Sequence, residues 1–220
     1  MMLLTLWLDL LLILTCVPGI LIPLLSGGRE DRRTRAFPLS LGVVVLLVCL
    51  TRMLIHDDDG TGFVSRSAVP VTVAGMALIL IGVVIAYTLE ALSSSWERFG
   101  SLRGWRNAVD LGEYRMLLYP LLIIPALEEA CYRWCLFMTA AMVGLGGWQS
   151  AALSVPAFTL GHVIVDGLAG LRKIVLAVLA CGAFVLAGLP GAVLLHVLFN
   201  ILVFLRKFAD AADLSVRRFI

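Results

Sequence analysis

Apolar residues in this chain come in runs of roughly 20, parted by short polar stretches, and a run of that length coiled as an α-helix spans the hydrocarbon core of a bilayer. Of the 220 residues, 61% are hydrophobic and 15% charged. A soluble domain normally carries about 25% charge. Several of these helices would be apolar on every side, which argues against a soluble helical protein. The expected fold class is therefore all-α, a polytopic transmembrane helical bundle of about seven spans. The spans read roughly as Met2–Leu25, Pro38–Leu54, Val69–Leu92, Leu117–Val143, Trp148–Leu168, Ile174–Leu189 and Gly191–Leu205. The whole of 1–220 reads as one integral membrane domain. Residues 1–115 hold the N-terminal spans and a cytoplasmic loop, and 116–208 hold the core spans.

The start, MMLLTLWLDLLLILTCVPGILIPLL, has no basic residue before its apolar core and is interrupted by Asp9. It is expected to be a first membrane helix rather than a cleaved signal. The loops test the orientation. The first, GGREDRRTRAF, holds four arginines, and the second, HDDDGTGFVSRSA, is acidic although it includes Arg66. The third holds Arg98, Arg103, Arg106 and Arg115, the fourth is GLGG, and the fifth holds Arg172 and Lys173. The end carries Arg206, Lys207, Arg217 and Arg218. Basic and non-basic loops alternate, which places the N-terminus outside and the C-terminus in the cytoplasm of a multi-pass cell-membrane protein. The third loop also carries Trp96, Phe99, Leu102 and Trp105, which suit either an interfacial amphipathic helix or a connector with aromatic anchors. The tail FADAADLSVRRFI reads as a short surface helix.

Charges inside the apolar runs are the chemically informative residues. Glu128, Glu129 and Arg133 lie near the middle of the fourth run, where charged groups are costly and usually face the bundle interior. Glu129 and Arg133 are four apart and share a helix face, so they can pair. Glu128 points about 100° away, with no partner on its own face. An unpaired carboxylate in such a place is a candidate acid or base. Pro125, just before, is expected to kink the helix. In the fifth run Phe158 precedes His162 by one turn, and Asp166 follows it by one turn. Asp166 suits either of two roles, orienting the imidazole or capping the helix at the interface. In the last run His196 and Asn200 share a face and make a donor pair suited to an oxyanion. His56 sits beside the acidic loop as a solvated interface residue. All five cysteines lie in apolar runs and are not a disulfide framework. Cys131 and Cys135 read as small buried hydrophobes before they read as ligands.

The ordered set Glu128-Glu129-x-x-x-Arg133, Phe158-x-x-x-His162 and His196-x-x-x-Asn200 resembles the signature of the CPBP family, the CAAX proteases and bacteriocin-processing enzymes also called the Abi family. The resemblance covers Glu128 to Asn200. It implies an intramembrane, metal-independent glutamic endopeptidase. By that likeness Glu128 and His162 activate water, His196 and Asn200 bind the oxyanion, and Glu129, Arg133 and Phe158 support them. The surroundings of the motifs look bacterial, so the expected location is a bacterial inner membrane and prenylated substrates are not implied. The expected partners are a membrane protein or peptide substrate and the bilayer, with no nucleic acid. No cofactor is expected. Two other readings stand beside this one. Glu128, His162 and His196 would make three ligands of a zinc-dependent membrane hydrolase, although no HExxH is present. The same fold would also serve a non-catalytic immunity or regulatory protein. A proton-coupled transporter is weakened by the absence of an inverted repeat.

Overall fold

A computed structural model of the protein describes residues 2–22, 25, 33–54, 72–94 and 119–217. Every regular element among them is helical. The protein is thus an all-α, multi-pass membrane protein. Three of its helical stretches are plainly long and apolar enough to cross a membrane: Ala36–Leu54, Ala74–Leu92 and the run Gly147–Arg206. The second loop, with His56, and the aromatic third loop lie outside the described residues.

Helix α1, Met2–Cys16, is shorter than the expected Met2–Leu25. Val17 leaves the helical region at φ −132°, and a short 3-10 turn, Pro18–Leu21, follows. Pro18 has no N–H to continue the ladder, which explains a stop inside an apolar run. Helix α2, Arg33–Leu54, takes Pro38 into its interior. Helix α3 is Val73–Ser94. Helix α4, residues 119–142, is a continuous run of four pieces. These are a π stretch Tyr119–Ile123, an α segment Ile124–Glu129, a second π stretch Ala130–Cys135 and an α segment Leu136–Met142. Pro125, where a kink is expected, lies in a short α segment with widened turns on either side, a feature frequent at functional sites.

Glycines make the sharp turns that follow. Gly144, at φ 84°, ends α4. The Leu145 N–H donates to the Ala140 carbonyl and the Gly144 N–H to Ala141, the Schellman closure of a helix end. Helix α5, Gly147–Asp166, stops at Gly167, which is at φ 65°. A 3-10 turn, Gly167–Lys173, leads into α6, Ile174–Arg217. Gly188, at φ 66° and ψ −166°, divides α6 into two helices. A Cβ on Gly191 would lie 3.0 Å from the Ala183 carbonyl oxygen. Eight residues of continuing helix would separate those positions by about 12 Å. The chain therefore doubles back at Gly188, close to the tight Pro190-Gly191 hairpin expected between the last two runs. The tail continues as α6 to Arg217 rather than as a separate helix.

Helix α4 is central, with α1, α2, α5 and α6 packed around it, while α3 packs chiefly on α6. Leu11, Leu41, Val44, Leu136, Phe158, Leu195 and Phe199 fill the space between them. Hydroxyl contacts join the helices in place of a hydrophobic drive, as is usual in lipid. Thr15 and Thr139 share a hydrogen bond of 3.2 Å between α1 and α4, and the Ser154 hydroxyl on α5 donates to the Tyr132 carbonyl at 2.7 Å.

Candidate active site

Three helices bring the ionisable residues together. Glu128, Glu129, Arg133 and His196 are buried, and His162 is nearly so. Glu128 has no partner on its own helix face, as expected, and finds its neighbours on α5 and α6. One of its oxygens, Oε1, lies 3.7 Å from His162 Nε2, and the other, Oε2, lies 3.5 Å from His196 Nε2. The carboxylate thus sits between two imidazoles. It is 3% exposed, so it does not reach out to solvent.

The other nitrogen of each ring faces a second carboxylate. His196 Nδ1 is 2.8 Å from Glu129 Oε1, a hydrogen bond. His162 Nδ1 is 3.4 Å from Asp166 Oδ2. Glu129 Oε2 in turn pairs with Arg133 Nε at 3.1 Å, the helix-face pair expected from the spacing. Arg133 also donates through Nη2 to the Ala177 carbonyl on α6 at 3.0 Å. A buried ion pair is tolerable only with such additional bonds.

Phe158 is the hub of the aromatic packing. The Arg133 guanidinium lies 4.6 Å above its ring centre. The imidazoles of His162 and His196 lie 4.7 Å and 5.6 Å from it, and Tyr132 meets it edge-on at 5.4 Å. Tyr132 is fully buried, and its hydroxyl abuts Gly161, where any Cβ would collide with it. The Phe37 ring of α2 lies tilted to that of His162, their centres 6.4 Å apart.

The structure therefore unites Glu128, Glu129, Arg133, Phe158, His162 and His196. Asn200 lies one turn beyond His196 on α6 and is half-buried. The structure gives no hydrogen bond that ties it to the cluster. Sequence reasoning missed Tyr132 with Gly161, and Lys173, whose ammonium lies 4.7 Å above the Phe199 ring and 4.0 Å from Glu90. Lys173 is the last residue of the 3-10 turn that leads into α6.

Among the described residues, no group of three or more His, Cys, Asp or Glu side chains has the arrangement of a metal site. The cluster is a buried Glu/His arrangement consistent with a non-metal catalytic centre. Residues 111–202 match the family described as type II CAAX prenyl endopeptidase Rce1-like. No curated protein and no solved structure matches the chain.

Proposed function

We propose, on the premise that residues 111–202 make this a membrane protein of the CAAX-protease (Rce1-like) family, that the chain is an intramembrane endopeptidase. Its reaction is hydrolysis of a peptide bond in a membrane-associated protein or peptide. The observation that carries this reading is the Glu128 carboxylate held between His162 Nε2 and His196 Nε2 at 3.7 Å and 3.5 Å. Both separations exceed a good direct hydrogen bond, so the carboxylate and the rings keep hydrogen-bonding capacity for a water beside them.

In the proposed cycle Glu128 takes a proton from a water that His162 also holds. The water oxygen attacks the peptide carbonyl carbon. The resulting oxyanion is met by His196 and Asn200. The carbon–nitrogen bond then breaks, and Glu128 returns its proton to the leaving amine. For His196 to serve the oxyanion it must carry a proton on Nε2, and because the Glu129 carboxylate takes the Nδ1–H at 2.8 Å, the ring acts there as the doubly protonated imidazolium, unlike a neutral ring with one N–H. Arg133 and Phe158 hold that assembly. Seven spans, an external N-terminus and a cytoplasmic C-terminus complete the reading. The interruptions at Gly167 and Gly188 support dividing the run Gly147–Arg206 into three passes. The pocket then lies in residues 116–208, with 1–115 as its flank.

The test compares membrane-protein termini in cells carrying the wild-type chain and the Glu128→Ala variant. At least one precursor should accumulate only in the variant. Identical sets of termini, with both chains expressed, would sink the proposal.

A further inference from the structure

We infer that Asp166 is a positioning residue that fixes the tautomer of His162. The inference rests on reading the cluster as an endopeptidase centre. It adds to that centre a carboxylate outside the six residues united above.

The two imidazoles are built alike. Each turns Nε2 toward Glu128 and Nδ1 toward a further carboxylate, Glu129 for His196 and Asp166 for His162. A neutral imidazole carries one N–H, and the hydrogen bond at one nitrogen decides which nitrogen bears it. A carboxylate is an acceptor only, so Asp166 draws the proton to Nδ1. Nε2 then presents a lone pair toward Glu128, where it can accept from the attacking water. With the opposite tautomer, Nε2–H would point toward Glu128, and that nitrogen could no longer accept a proton from water.

Asp166 has no better explanation in helix stability. A negative charge at the C-terminal end of α5 opposes the helix dipole. Its side chain makes no capping hydrogen bond to the 3-10 turn that follows. The turn is nevertheless held tightly against His162. Gly167 takes φ 65°, and a Cβ on Gly170 would lie 2.5 Å from the His162 carbonyl carbon and 2.7 Å from its oxygen. Only glycine lets the turn close this far, while the four-residue spacing on α5 sets Asp166 one helical turn from the ring it faces. Phe158 and Phe37 both lie near the ring. Asp166 is half exposed and stands at one end of a Glu128–His162–Asp166 line whose other end is buried.

The experiment uses the full chain labelled with [15N]histidine, in nanodiscs at mildly alkaline pH. The sequence has three histidines, and His162→Gln identifies the signals of His162. In the wild type these should report an Nδ1–H, Nε2-bare ring. In Asp166→Ala they should move to the Nε2–H form, and kcat should fall by on the order of 10-fold to 100-fold with KM unchanged. Asp166→Asn provides the same nitrogen readout if the alanine variant does not fold. A wild-type His162 that is Nε2–H or doubly protonated overturns the inference, as does a tautomer that ignores the loss of Asp166. The nitrogen signals do not depend on activity. A chain without peptidase activity whose tautomer still follows Asp166 refutes the proposed function and leaves the positioning role standing.

Discussion

Helices α3 and α4 are both hydrophobic and both of membrane-crossing length, yet only α3 is regular. Helix α3 is an unbroken α-helix of 22 residues that turns Leu78, Leu80, Ile81, Val84 and Ile85 outward. Its one charged residue, Glu90, lies in its last turns. Helix α4 is interrupted by two π stretches and keeps Glu128, Glu129 and Arg133 at or below 3% exposure. The difference follows from what surrounds each helix. A helix with one side open to lipid has no place for two adjacent carboxylates. These point about 100° apart, so one of them would meet hydrocarbon. Around Glu128, Glu129 and Arg133 helix α4 is enclosed by protein, and its neighbours supply two imidazoles and an aromatic face. Widened turns persist there because the surrounding contacts hold them. The irregular helix carries the buried charged cluster, and the regular one packs chiefly on α6.

If that division is right, the largest effects belong to α4. Glu128→Gln keeps size and polarity and removes the proton acceptor. We expect cleavage by the purified chain to fall by about 10³-fold or more, with the melting temperature near that of the wild type. Retained cleavage would move the acid–base role away from Glu128. Next, Arg133→Met leaves Glu129 buried without its counter-charge. That should destabilise the chain by about 3 kcal/mol or more, read as thermal unfolding in detergent. An equally stable variant would mean that His196 alone sustains Glu129.

Asn200 sharpens the comparison from the α6 side. It shares a face with His196 but has no bond that ties it to the cluster. As an oxyanion donor it would act only when substrate is present. Asn200→Ala should then lower kcat by about 10²-fold and leave KM close to that of the wild type. An equal loss of substrate binding would assign Asn200 to recognition instead.

The local parts of this site were legible in the sequence and the distant parts were not. Spacing of four residues foretold the Glu129–Arg133 pair and the Phe158–His162 contact, because one turn of helix fixes both. Nothing in spacing foretold that Glu129 would meet His196, 67 residues away, or that the Ala177 carbonyl would receive Arg133. Those contacts depend on how α5 and α6 turn at Gly167 and Gly188, and a glycine's φ is not written in its neighbours. The motif order nevertheless grouped the right helices. The end of α1 failed for a different reason. Hydropathy stays high through Leu25 and hides the stop, while Pro18 announced it. The π stretches had no sequence signal beyond Pro120 and Pro125.

The smallest expected effects set the two regions directly against each other. Leu80 on α3 faces outward and would meet lipid tails as apolar as itself. Leu80→Ala removes three carbons from that surface, and stability and cleavage should change by no more than about 0.5 kcal/mol. Gly161→Ala adds a single carbon beside α4, where the buried Tyr132 hydroxyl already fills the space. Tyr132 must shift, and it packs on Phe158, which in turn holds both imidazoles. Overpacking of this kind costs about 1–3 kcal/mol, and cleavage should fall with it. One added carbon at Gly161 should therefore harm the protein more than three lost at Leu80. The opposite order, measured side by side as thermal stability and turnover, would mean that the lipid-facing wall constrains this molecule more than the packing around α4.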